Sequence, residues 1–224
     1  MLGLLITLCL GSIRVAANQE TILVLGDSLS AAHNIPIEQG WASLLQQRLA
    51  GRYRVVNASI SGETSDGGLA RLPKLLTTHE PSIVLVELGA NDGLRGQPLS
   101  GTTANMEQII QLCNHARARV LLLGVELPIN YGSVYRTQFR QLYAKLARRH
   151  GLPLVPFILA GIALNPNLMQ ADGLHPTAAA QARVLDNIWP TLAPLLESRM
   201  PQRASPAQAA TPAALDAEFK SAQA

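Results

Sequence analysis

Ser28 follows directly on the run Thr21-Ile22-Leu23-Val24-Leu25-Gly26-Asp27, and far down the chain stands Asp172-Gly173-Leu174-His175-Pro176. A serine hydroxyl is a weak nucleophile near neutral pH. It becomes effective when an imidazole takes its proton and a carboxylate holds that imidazole in one tautomer. The chain supplies this set in the order Ser28, Asp172, His175. With three residues from Asp172 to His175, the carboxylate can accept from Nδ1 while Nε2 faces the serine. The chemistry expected is acyl transfer, with Ser28 as nucleophile, His175 as general base and Asp172 as the orienting acid. His33 is a second imidazole near Ser28, with Glu38 the one nearby carboxylate to orient it. His79, His115 and His150 fall in helical patterns and read as structural.

Attack on a carbonyl puts negative charge on its oxygen, and preorganised donors aimed there are often the largest catalytic effect. Gly62, in Ser61-Gly62-Glu63-Thr64, can offer its backbone N–H, and Asn91, in Gly89-Ala90-Asn91-Asp92, its side-chain NH2. The Ser28 N–H makes a third donor of this oxyanion hole. Taken singly, Gly62 reads equally as a turn glycine and Asn91 as a turn or cap residue.

These residues need a scaffold that brings distant segments together. Apolar runs at Thr21 to Leu25, Arg54 to Asn57, Ile83 to Leu88, Val120 to Val125 and Leu154-Val155 read as strands. The unbroken Val/Ile/Leu character of four of them fits strands covered on both faces. Between and after them, Trp41 to Leu49, Gly67 to Leu76, Thr103 to Ala116, Ser133 to His150 and Thr177 to Leu196 have helical spacing, with Pro176 suited to a first helical turn. The alternation predicts an α/β fold, a flavodoxin-like three-layer α/β/α sandwich on a five-stranded parallel sheet. In such a sheet the loops leaving the carboxyl ends of the strands converge on one edge, where ligands bind. Ser28, Gly62 and Asn91 fall in such loops, and Asp172 and His175 in the loop before the last helix.

The 224 residues, 48% hydrophobic, suffice for one core and one domain, 18–198. The net charge of +3 comes from scattered cations, with only Arg148-Arg149 adjacent, which is no footprint for nucleic acid. The apolar stretch Leu2 to Leu10 is too short to span a bilayer, and Val15-Ala16-Ala17 before Asn18 resembles a signal-peptidase site, although the first residues carry no Lys or Arg. Residues 1–17 therefore read as a signal peptide, with a periplasmic or secreted mature protein. Its single cysteine is Cys113, which excludes an internal disulfide. Residues 199–224 are rich in Ala and Pro without apolar period and read as a disordered tail.

The blocks holding Ser28, Gly62, Asn91 and His175 resemble, in order, those of the SGNH or GDSL hydrolase superfamily. Val56-Asn57-Ala58-Ser59-Ile60-Ser61-Gly62-Glu63-Thr64, Gly68-Leu69-Ala70-Arg71-Leu72-Pro73 and Val86-Glu87-Leu88-Gly89-Ala90-Asn91-Asp92-Gly93-Leu94-Arg95-Gly96 resemble its bacterial thioesterase I, protease I and lysophospholipase L1 group. The resemblance implies a monomeric esterase and thioesterase acting on small acyl substrates, without metal or cofactor, nucleic-acid partner or stable membrane insertion. It further implies that residues 66–75 move as acyl chains bind, and that Leu72, Leu76, Leu127, Pro128 and Ile129 wall an acyl groove. Glu126 departs from the group, which carries arginine before this Leu-Pro, and implies like-charge repulsion of anionic substrates. Two other readings stay open. One is a carbohydrate O-acetylesterase of the same superfamily. The other is a flavodoxin-like binding or signalling module whose Asp27 and Asp92, at strand ends, hold Mg2+ or accept a phosphoryl group.

Overall fold

A computed structural model describes residues 19–197; the expected signal peptide and tail lie outside the described residues. Strands β1 (Glu20–Gly26), β2 (Tyr53–Asn57), β3 (Ile83–Glu87), β4 (Arg119–Leu123) and β5 (Leu154–Val155) form one parallel sheet in the order β2-β1-β3-β4-β5. From β1 the chain steps outward to β2, then reverses across β1 to β3. Because crossovers between parallel strands are right-handed, that reversal sends the connecting helices to opposite faces. Helices α1 (Trp41–Arg48) and α6 (Gln181–Glu197) pack together on one face. On the other lie α2 (Ser65–His79), α4 (Leu99–His115) and α5 (Ser133–His150), with α3 (Ala90–Leu94) a short helix after β3. Every residue of β3 is buried, as is all of β1 beyond Glu20, which accounts for their unbroken apolar sequence.

Reversal of strand order leaves a crevice between the carboxyl ends of β1 and β3, the place where doubly wound sheets bind ligands. Ser28 lies just beyond one of these ends and Asn91 just beyond the other.

Two local expectations are corrected. Residues 66–75, implied to be a moving loop, lie within α2. Thr64 caps that helix, its Oγ1 accepting from Gly67 N–H at 3.3 Å, and Asp66 places negative charge at the positive end of the helix dipole. Pro176 does not open the last helix, which begins at Gln181 after a 3-10 turn over Ala178–Ala180. Instead Pro176 forms an isolated antiparallel bridge with Met169. Gln170 N–H donates to His175 O at 2.7 Å and Thr177 N–H to Leu168 O at 2.8 Å. These bonds tie the backbone on both sides of His175 before the helix starts.

Candidate active site

The chain leaves β1 in a tight turn. Asp27 O accepts from Ser30 N–H at 3.2 Å and Ala31 N–H at 2.9 Å, and the Asp27 carboxylate accepts from Leu29 N–H at 3.0 Å. This turn presents the half-buried Ser28 at the sheet edge. His175 Nε2 lies 2.8 Å from Ser28 Oγ, and His175 Nδ1 lies 2.7 Å from Asp172 Oδ2. The other carboxylate oxygen of Asp172 accepts from Leu174 N–H at 2.9 Å and His175 N–H at 3.1 Å. Partial burial pushes the Asp172 carboxyl up, but the hydrogen bonds from the His175 ring and these two amides pull it further down, to about 2. Asp172 is therefore ionised at neutral pH, and an imidazole held against it carries its proton on Nδ1 and offers a lone pair to Ser28.

His33 is placed against the face of His175, with ring centroids 4.2 Å apart and planes tilted by 36°. Its Nδ1 is 3.4 Å from Ser61 Oγ, and its carbonyl accepts from Gln170 Nε2 at 2.9 Å, which also donates to Pro176 O at 3.0 Å. Gln170 thus links the Ser28 side of the cleft to the His175 hairpin. Sequence reading missed it, because a lone glutamine carries no motif. Among the described residues, His33, Asp172 and His175 are the one cluster able to offer metal ligands, with candidate atoms within 4.8 Å of one another. Two of the three are already paired in the triad.

The groups expected as oxyanion donors are partly free and partly engaged. Among the described residues neither Ser28 N–H nor Gly62 N–H has an intramolecular acceptor. Gly62 has φ +80°, and a Cβ there would meet only an Arg95 nitrogen at 3.9 Å. Its glycine is required by backbone conformation, not by lack of room. Asn91 Nδ2 donates to Asp27 Oδ2 at 3.0 Å and to Glu63 O at 2.9 Å, which uses both amide hydrogens. Glu63 is held in turn by Arg71, whose Nε lies 2.6 Å from it and whose Nη1 donates to Ala58 O at 2.6 Å.

The expected groove lining divides. Leu72 and Leu127 are core residues, at 0% and 3% exposure, and cannot form an open wall. Leu76 is also buried, and it borders a depression with Thr77, Glu80, Pro81 and Ala116 at the opposite, amino edge of the sheet. Pro128 is half-buried, and Ile129 is 76% exposed on the loop after β4. Ile60, Leu174 and Ile129 expose apolar surface on three segments at the catalytic edge, and the first two escaped notice because motifs surround them. Glu126 is bracketed by Arg136 at 3.6 Å and Arg140 at 3.5 Å, so its cluster carries net positive charge, opposite to the repulsion expected. The Mg2+ reading is also corrected. Asp27 and Asp92 are each 1% exposed and turned to internal donors, which for Asp92 are Ser65 N–H at 2.9 Å, the Ser65 hydroxyl and the Thr102 hydroxyl.

A Ser-His-Asp triad on the carboxyl edge of a doubly wound sheet, with uncommitted backbone N–H groups beside it, defines a serine hydrolase of the SGNH type. Comparison with known proteins agrees. The chain belongs to the GDSL-like Lipase/Acylhydrolase family, whose profile matches residues 24–183. It is 49% identical over 201 residues to Esterase TesA of Pseudomonas aeruginosa, covering 88% of this chain and all of the relative. It is 46% identical over 181 residues to thioesterase 1/protease 1/lysophospholipase L1 of Escherichia coli K12, covering 81% of this chain and 87% of the relative. A crystal structure of TesA shares the fold with a TM-score of 0.77 at 51% identity, over 79% of this chain and 99% of that one.

Proposed function

We propose that the chain hydrolyses acyl esters and thioesters through an acyl-enzyme on Ser28. The observation that carries the reading is the unbroken contact from Asp172 through His175 to Ser28, at 2.7 and 2.8 Å. His175 Nε2 takes the Ser28 proton as Oγ bonds to the carbonyl carbon, and the carbonyl oxygen becomes an oxyanion. Ser28 N–H, Gly62 N–H and the Asn91 amide receive that charge. Asn91 releases its bond to the neutral Glu63 carbonyl and keeps the stronger, charge-assisted one to Asp27. Collapse expels the alcohol or thiol, which takes the proton from His175, and water repeats the sequence on the acyl-enzyme.

The substrate range draws support from relatives whose names include esterase, thioesterase and lysophospholipase. Acyl chains lie along Pro128 and Ile129, and activity extends beyond acetyl groups, which separates this reading from a carbohydrate O-acetylesterase. The catalytic domain is residues 18–198, exported to the periplasm or medium as a monomer after removal of residues 1–17; N-terminal sequencing of the mature protein beginning at Asn18 tests that.

The decisive test is Ser28→Ala. Loss of the serine of a triad lowers kcat about a millionfold. The variant is expected to lose turnover of p-nitrophenyl butyrate and labelling by a fluorophosphonate. Parental turnover would refute the assignment. A panel from acetyl to palmitoyl, as oxygen and sulfur esters, then ranks substrates, and activity confined to acetyl esters would overturn the long-chain reading.

A further inference from the structure

Directly beneath the Ser28 turn lies a carboxyl group that the mechanism above does not use. Glu87 is the last residue of β3, paired in register with Gly26, and its side chain is fully buried. One of its oxygens, Oε2, accepts from the backbone N–H of Asp27 at 3.1 Å and from Ser30 Oγ at 2.8 Å. These residues flank Ser28 on either side. Ser30 is itself 1% exposed, and its carbonyl accepts from Asn57 Nδ2 at 2.8 Å, so the grip on the turn extends to β2. Gly26 leaves the room this requires, since a Cβ there would lie 2.8 Å from Ser30 Oγ and 2.9 Å from Glu87 Oε2.

The other oxygen, Oε1, is buried and receives no hydrogen bond, and the buried Asp27 carboxyl belongs to the residue whose backbone N–H bonds the first, close enough for each carboxyl to act on the charge of the other. Two adjacent buried carboxyls cannot both be ionised, because burial and like charge each oppose the second charge. The oxygen that lacks a donor is the natural place for the one proton the pair retains. Asp27 has its own ties to the reaction, through Asn91 and through the charge of His175.

We propose that Glu87 is a positioning residue for ester hydrolysis: a neutral carboxylic acid that shares one proton with Asp27 and pins Asp27 and Ser30, which bracket Ser28 in the turn. The role rests on the reading of Ser28 as nucleophile. It explains why a glutamate ends a strand in the fully buried centre of the sheet. Burial first and the Asp27 charge second push the Glu87 carboxyl well above its ordinary value, with Ser30 and the Asp27 amide acting the other way. Burial likewise raises Asp27, to about 6, against the pull of Leu29 N–H, Glu87, His175 and Asn91. The titratable neighbours on packed elements are Asp92 and Tyr143; the Tyr143 hydroxyl donates to Leu88 O at 2.8 Å and is pushed up by burial and then by the charges of Glu87, Asp27 and Asp92.

Glu87→Gln and Glu87→Leu test the proposal. Glutamine can donate to Asp27 from its amide while its oxygen still accepts from Asp27 N–H and Ser30, so kcat is expected within about threefold of the parent. Leucine keeps the volume and loses all of these bonds; kcat is expected to fall at least tenfold with KM little changed. Equal losses in both variants, or parental kcat in Glu87→Leu, would overturn the proposal. Two further readouts need no catalysis, so their failure is distinguishable from a wrong nucleophile, and both stand if Glu87→Leu does not fold. Infrared spectra at neutral pH should show a protonated-carboxyl C=O band in the parent that disappears in Glu87→Gln; an identical spectrum counts against the shared proton. For a group raised in the folded state, the stability it contributes is complete below its ordinary value, here 4.5, and is lost as pH rises through the folded value. The melting temperature of the parent minus that of Glu87→Gln should therefore decline as pH rises above 4.5. A difference that stays flat or grows contradicts a buried neutral acid.

Discussion

Replacing Asp172 with asparagine tests how the imidazole is held. One Asp172 oxygen accepts two backbone N–H groups, from Leu174 and His175, and the other faces Nδ1 of the ring. Asparagine has a single carbonyl oxygen. If that oxygen stays with the two amides, the NH2 faces Nδ1, the ring proton moves to Nε2, and the base toward Ser28 is gone. Turning the amide over restores the tautomer but strips two N–H groups of their acceptor. At about 0.5–1.5 kcal/mol per hydrogen bond, that costs about 1–3 kcal/mol, and the working orientation is disfavoured about 5- to 150-fold. Asparagine also removes the charge opposite the imidazolium. A pair about 4 Å apart is worth about 1 kcal/mol in water and about 4 kcal/mol near a protein surface. The Asp172 side chain is 37% exposed and that of His175 16%, which favours the lower part of that range. Together these effects, about 2–4 kcal/mol, place the loss in kcat at about 30- to 1,000-fold, smaller than the ~10,000-fold found where the aspartate is buried. The assay is kcat for p-nitrophenyl butyrate, with Asp172→Ala alongside. Alanine presents no donor to Nδ1 and is expected to retain more activity than asparagine. An asparagine variant within tenfold of the parent, or more active than the alanine variant, would refute this account of the tautomer.

Leu72→Ala should lower unfolding stability by about 2–5 kcal/mol, as for a large buried side chain, and leave the acyl-chain preference from butyryl to palmitoyl unchanged. A shifted preference in that panel would return Leu72 to the groove. Glu126→Gln uncovers Arg136 and Arg140 and should raise kcat/KM for palmitoyl-CoA over a neutral aryl ester by roughly three- to tenfold at low salt, an effect screened at high ionic strength. An unchanged ratio at low salt would show that the cluster does not meet the substrate.

Much of the scaffold was legible because strands buried on both faces must be apolar throughout. The strands begin and end within about two residues of the runs that announced them, and Ser133–His150 is helical as its spacing predicts. The triad was legible for a chemical reason: an acid three residues before a histidine, with a serine behind a strand, has few other uses. Glu87 shows the opposite case. Its side chain lies within a run that reads as plain strand, and its significance appears only when β3 is laid beside β1.

The amino-acid sequence by itself determined the α/β layout and the identity of Ser28, Asp172 and His175, since local periodicity and residue chemistry suffice for both. The tertiary structure alone decided that Leu72 and Leu127 belong to the core and Ile60 and Leu174 to the surface of the cleft, that His33 lies on the face of His175, and that Asn91 is held by Asp27. Periodicity records that a side chain avoids water, but core and cleft are both apolar and look alike along one element. Contacts such as that between Ser28 and His175, 147 residues apart, depend on sheet register and crossover hand. Those are properties of how the strands pair, and no single segment carries them.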